Sequence, residues 1–80
     1  MEAKLVDVVD VLKELTEDVT LPRNVKLEVE EIIEILKDDI DLSLKVNKVL
    51  HKLEDVVDDK NLQAYSRTQM FNIIGLLESF

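Results

Sequence analysis

From Leu5 to Leu77 the apolar residues recur at intervals of three and four, and no useful length of chain alternates with a period of two. That spacing gathers them on one side of an α-helix, where residues three and four apart are neighbours. As a strand, the same chain would scatter its apolar set over both faces of a sheet. The fold class is therefore all-α. One proline and one glycine in 80 residues leave little room for long loops.

The first helix is expected over about 2–18, with Leu5, Val8, Val9, Leu12, Leu15 and Val19 as its inner stripe. Val6 and Val11 widen that stripe, and Asp7, Asp10, Glu14 and Glu17 fall opposite. Thr20-Leu21-Pro22-Arg23-Asn24 then breaks the pattern. Thr20 can cap a new helix by accepting from the amides of its first turn. Pro22 suits that turn, where its missing N–H costs nothing, and it pushes Leu21 away from helical geometry.

The second helix, about 22–37, carries Val25, Val29, Ile32, Ile33 and Leu36 inward. Leu27 and Ile35 leave the stripe, as second-neighbour contacts or as exposed apolar residues. Asp39 or Asp41 can cap the third helix, about 41–57. Its stripe is Leu42, Val46, Val49, Leu50, Leu53, Val56 and Val57, while Lys45, Lys48 and Lys52 share another face. Asn61 is the expected cap of the fourth helix, about 62–79. There Met70, Ile73, Leu76, Leu77 and Phe80 point inward, with Phe71 and Ile74 further round. Gly75 inside this helix costs about 1 kcal/mol relative to alanine.

Four such helices joined by short loops are expected to form one domain, an antiparallel four-helix bundle built as two helical hairpins. A shift of 44 residues lays one hairpin on the other, placing Leu5 on Val49, Leu12 on Val56, Arg23 on Arg67 and Ile32 on Leu76. It suggests a duplication with an arginine at each corner.

Composition excludes several chemistries. With no cysteine there is no disulfide and no thiolate site. The N-terminus lacks the basic head and long apolar run of a signal peptide, and no apolar run approaches the roughly 18 residues of a membrane span. A soluble, cytoplasmic protein is expected. Residues 1–41 hold 13 acids against 5 basic residues, a net of −8, whereas residues 42–80 balance at 5 against 5. Such a chain repels nucleic acid and anionic membranes and attracts basic partners.

No catalytic constellation emerges. The acids lie mostly on outer faces, His51 is the lone histidine, and neither serine nor threonine has a histidine positioned to activate it. Read as a calcium loop from Asp39, the sixth and twelfth positions are Leu44 and Leu50, not the glycine and glutamate required. No metal, cofactor or catalytic residue is assigned. The corners supply the remaining candidates. Arginine near a helix N-terminus opposes the macrodipole and calls for a compensating partner. Arg23 could brace to Glu17 or Asp18. Arg67 could brace to Asp55, Asp58 or Asp59, or tie down loop carbonyls.

Two motifs carry a family resemblance: Thr20-Leu21-Pro22-Arg23-Asn24-Val25, and Arg67-Thr68-Gln69-Met70-Phe71-Asn72-Ile73-Ile74. Together they resemble a small archaeal family catalogued as uncharacterised protein family 0147, over nearly the whole chain. The resemblance implies a helical bundle in an archaeal cytoplasm, with no established activity and no catalytic residues to carry over. The family pattern usually has proline entering the last helix, where this chain has Gln63, and often tryptophan where it has Phe71.

The function expected from all this is a non-enzymatic interaction module that docks on a protein partner or on a second copy of itself. The excess of apolar residues off the main stripes motivates it. The alternative is an anion or small-ligand binder using Arg23 and Arg67. Candidate corner residues are Arg23, Asn24, Arg67, Thr68, Gln69 and Asn72. Nucleic acid is disfavoured as a partner, and no membrane is implicated.

Overall fold

A computed structural model describes residues 2–80 of the chain. Four helices follow one another: α1 (Ala3–Thr16), α2 (Arg23–Lys37), α3 (Leu42–Val57) and α4 (Ala64–Glu78), with no strand among the described residues. Each helix packs on its neighbour in sequence, and α4 returns to α1 through a sparser seam. The diagonal pairs make no close backbone approach. The four helices thus form an antiparallel ring 32 Å long and under 20 Å across, each turning one apolar stripe to a shared axis.

That axis is aliphatic. The α1 stripe of Leu5, Val8, Val9, Leu12 and Leu15 is buried, as is the whole expected stripe of α2. Val46, Val49, Leu53, Val56 and Val57 of α3 and Met70, Ile73 and Leu77 of α4 complete it. Each such side chain contributes roughly 1.5–3 kcal/mol when fully buried, offset by the entropy of ordering the chain.

Four expected core residues are instead exposed, each for a local reason. Val19 is 97% exposed because α1 ends at Thr16, so the periodicity that includes it runs past the last helical turn. Leu42 stands at the first position of α3 and remains open to solvent. Leu76 and Phe80 of the last segment also face outward. In α4 apolar residues lie nearly all round, and the buried arc is the one through Met70, Ile73 and Leu77. Leu50 is only half-buried. Conversely, Leu21 and Leu62 are buried from within loops, and Ser66 is the one buried polar residue among those described.

The corners correct the expected repeat. Asp18 accepts through Oδ1 from the Thr20 amide (2.9 Å), and Asp59 accepts through Oδ1 from the Asn61 amide (2.8 Å). The Leu21 amide donates to the Asp18 carbonyl and the Leu62 amide to the Asp59 carbonyl. Pro22 and Gln63 are the residues flanking the helix starts, with φ/ψ of −56°/142° and −69°/151°. The hairpins therefore superpose with a shift of 41 residues, as Asp18 to Asp59 and Leu21 to Leu62 show. In that register Arg23 corresponds to Ala64, and Arg67 to Lys26.

The helix caps change with it. The Thr20 hydroxyl does not cap α2 but donates to Asp18 Oδ1 at 2.8 Å. Pro22 precedes α2 instead of lying within its first turn, and no side chain caps that helix. Asn61 likewise does not cap α4, which begins after Gln63. In both corners an aspartate folds the loop back on itself by bonding two residues ahead. Asp41 does cap α3, accepting from the Leu44 amide at 3.2 Å.

Gly75 lies in exposed α4, and a Cβ built there would meet nothing within 4 Å. Its presence in the helix is tolerated and permits no close packing. Gly75→Ala is expected to stabilise the fold by about 0.8–1 kcal/mol. Urea denaturation checks it, with a rise in midpoint at unchanged slope as the expected outcome.

Candidate functional site

Three helix ends must be closed within short loops, and each leaves C-terminal carbonyls without helical partners. At the α3–α4 corner Arg67 meets this need. Its Nε donates to the Val57 carbonyl at 2.9 Å, and its Nη2 to the Asp59 carbonyl at 2.8 Å. Of the partners expected for Arg67, the loop carbonyls are the ones bonded. A cation beside the negative end of α3 is also favoured by the helix dipole. Lys45 holds the equivalent place at the α2–α3 corner. Its Nζ donates to the carbonyls of Leu36 (3.2 Å) and Asp38 (2.9 Å). Both cations stand at the fourth residue of the following helix, from where a long side chain reaches back across the turn.

Arg23 does not act in this way. It is the first residue of α2 and exposed, and it makes no hydrogen bond or ion pair among the described residues. The expected brace to Glu17 or Asp18 is absent: Arg23 sits three residues before the position used by Lys45 and Arg67, and among the described residues Lys26, which holds that position in α2, bonds no carbonyl of the corner. The two arginines consequently do not form a pair. The surface depression that Arg23 lines also holds Lys26 with Glu17, Asp18 and Glu30, and it does not include Arg67. Its three carboxylates outnumber its two cations and oppose an anion.

Asn24 binds between hairpins: its Nδ2 donates to Asp59 Oδ2 at 2.7 Å. This bond places the first and third corners at one end of the bundle. The Asn24 bond, then the Asn61 amide and then the charge of Arg67 hold the Asp59 carboxyl below its usual pKa of 3.8. The resulting stabilisation is present above that value and is lost as pH falls through the lowered pKa. Asp18 is lowered in the same direction by the Thr20 amide and hydroxyl. Gln69 donates to the Tyr65 hydroxyl at 3.1 Å within α4. Thr68 and Asn72 are exposed on that helix, apart from the corner contacts.

The lysine face of α3 divides. Lys45 clamps carbonyls, whereas Lys52 pairs across to α2 with Glu31 (3.0 Å) and Glu28 (3.9 Å). The Glu31 bond raises the Lys52 pKa first among its influences. As a partly exposed pair it contributes about 0–1 kcal/mol. Among the described residues no group of three or more metal-ligating side chains converges.

An apolar opening lies elsewhere, on the outer side of the acidic hairpin. A shallow depression of about 730 Å³ runs between α1 and α2, with Leu27 and Ile35 against Lys13, Thr16, Glu30 and Glu34. Leu27 is 53% exposed and Ile35 half-buried. A second depression of about 750 Å³ continues it towards the corner through Thr16, Leu27 and Glu30. The departure of Leu27 and Ile35 from the α2 stripe was the sequence signal for this surface.

Over its full length, residues 1–80, the chain matches an uncharacterised protein family (UPF0147). It belongs to that family. UPF0147 proteins of archaea are its relatives. The one from Methanosarcina mazei is 36% identical over 70 residues, covering 86% of this chain and 75% of the relative. The Thermococcus kodakarensis member is 31% identical over 80 residues, covering 98% and 96%. The Archaeoglobus fulgidus member is 35% identical over 74 residues, covering 92% and 85%. The crystal structure of MMP1188, a protein of unknown function, superposes with a TM-score of 0.90 at 28% identity, covering 96% of this chain and 89% of that one. The family is of unknown function, and this UPF0147 chain shares its all-helical fold. No helix among its described residues is long and apolar enough to cross a membrane.

The clamp at the α3–α4 corner makes a testable demand. Arg67→Met removes two charge-assisted bonds and is expected to destabilise the fold by about 1–3 kcal/mol. Arg67→Lys is expected to recover more than half of that loss, because Lys45 spans two carbonyls in the equivalent position. Chemical denaturation of the three proteins checks both. A lysine variant no more stable than the methionine variant would contradict the equivalence.

Proposed function

We propose that this UPF0147 protein is a non-enzymatic interaction module of the cytoplasm that docks a macromolecular partner on the outer face of the α1–α2 hairpin. The observation that carries the proposal is Leu27. It is a large apolar side chain, more than half exposed, that lines both of the adjoining depressions on this face. Exposed apolar surface of this kind, rimmed by polar groups, is characteristic of interaction sites.

Several features support the reading. The polar side chains that converge most closely in the structure, at the corners, are engaged in closing helix ends. The engagement of Arg67 with carbonyls weighs against the arginine-based anion site. The absence of cysteine accords with a reducing compartment.

A photo-crosslinking residue in place of Leu27 tests this in the cells that make the protein. The same residue in place of exposed Phe71 on α4 is the comparison. The expected outcome is one recurrent adduct from position 27 and none from position 71. No adduct at position 27, or the same adducts from both positions, would overturn the proposal.

A further inference from the structure

Leu27 and Ile35 are eight residues apart on α2, so their side chains stand about 12 Å apart along the helix axis. That is the separation of side chains two turns apart on a second helix. Around them acids outnumber cations: Glu17, Asp18, Glu30, Glu31 and Glu34 line the two depressions against Lys13, Arg23 and Lys26. Glu30 and Glu34 are exposed and stand four residues apart, a like-charge spacing that destabilises an isolated helix. Lys52 pairs with Glu31 and more distantly with Glu28, but no cation among the described residues lies within ion-pair distance of Glu30 or Glu34. Glu17 and Asp18 extend the acidic rim beyond Leu27. This is also the half of the chain that carries its whole net charge of −8.

We infer that the partner docked on this face is a basic amphipathic helix, whose apolar residues two turns apart cover Leu27 and Ile35 while its lysines or arginines meet Glu30 and Glu34. The inference rests on the proposed docking face and adds the chemistry of its occupant. An apolar stripe laid into a groove supplies the affinity, read from anchors at i, i+3, i+4 and i+7. The unpaired glutamates supply selectivity and attraction at a distance. A second copy of the chain is the competing occupant, and its oligomeric state separates it from a basic helix. Nucleic acid is repelled by the same carboxylates.

Two synthetic helical peptides of about 14 residues test it. Both carry leucines at heptad spacing, and the flanking positions are lysine in one and glutamate in the other. The readout is the map of backbone amide shifts in the isotope-labelled full chain, with affinity measured at low and moderate salt. The lysine peptide is expected to perturb residues 27–35 and the facing turn of α1, and to weaken about tenfold as salt rises. Glu30→Lys with Glu34→Lys is expected to reverse the preference in favour of the glutamate peptide, with circular dichroism showing the fold retained.

Equal binding of both peptides at residues 27–35, or no effect of the double substitution, would overturn the basic helix while leaving the docking face standing. Perturbations scattered over the acids of α1, or none from either peptide, would overturn the face itself. A dimer in sedimentation that dissociates on Leu27→Glu would assign the face to a second copy and overturn the inference.

Discussion

The reversal of a helix within six residues or fewer is the constraint on which the rest of this structure depends. Carbonyls at each helix end lose their helical partners just where the chain must turn. At two of its three corners the bundle meets this with cations carried by the following helix. Lys45 and Arg67 reach back from its fourth position to the carbonyls of the preceding helix end. Corner geometry then sets helix phase. Because the fourth residue must face the preceding helix end, the apolar residues three and four positions away are brought to the bundle axis. Val49 after Lys45, and Met70 after Arg67, are both fully buried.

The two hairpins share a different device at their own corners. Each corner bends over an aspartate, buries a leucine three residues later and enters the next helix from an extended residue. Gln63 occupies the place that Pro22 holds in the first hairpin, and its backbone angles are ones a proline would adopt. The hairpins then join through Asn24 and Asp59 at one end and through the common core along the axis. Leu27, Glu30 and Glu34 of α2 take no part in these contacts. They are left over from folding, and that is why they bear on function.

Much of the fold was legible in the sequence, and the failures have a common physical origin. The stripe of α2 was read without error because acids separate it from the two apolar residues, Leu27 and Ile35, that lie off it. In α4 apolar residues lie on several sides, so periodicity alone admitted Leu76 and Phe80. The repeat was read at 44 residues instead of 41 because a shift of three moves a helix by nearly one turn. The apolar stripes match almost as well in either register, and only the loop residues discriminate. Aligning arginine with arginine chose the wrong one. Leu21 and Leu62 were missed since a loop residue has no periodicity to reveal its burial. Of the corner residues, Arg67 and Asn24 have bonds that a sequence can suggest but not place, because their partners are backbone carbonyls and a carboxylate 35 residues away.

The two hairpins turn over the same aspartate loop, 41 residues apart. Native-state hydrogen exchange of the Leu21 and Leu62 amides tests that equivalence most directly, since each donates to the carbonyl of its corner aspartate at 3.1 and 3.2 Å. If the corners are equivalent, both amides are protected against local opening, with opening free energies that agree within about 1 kcal/mol. Protection at one leucine with exchange at the rate of an open loop at the other would contradict the account.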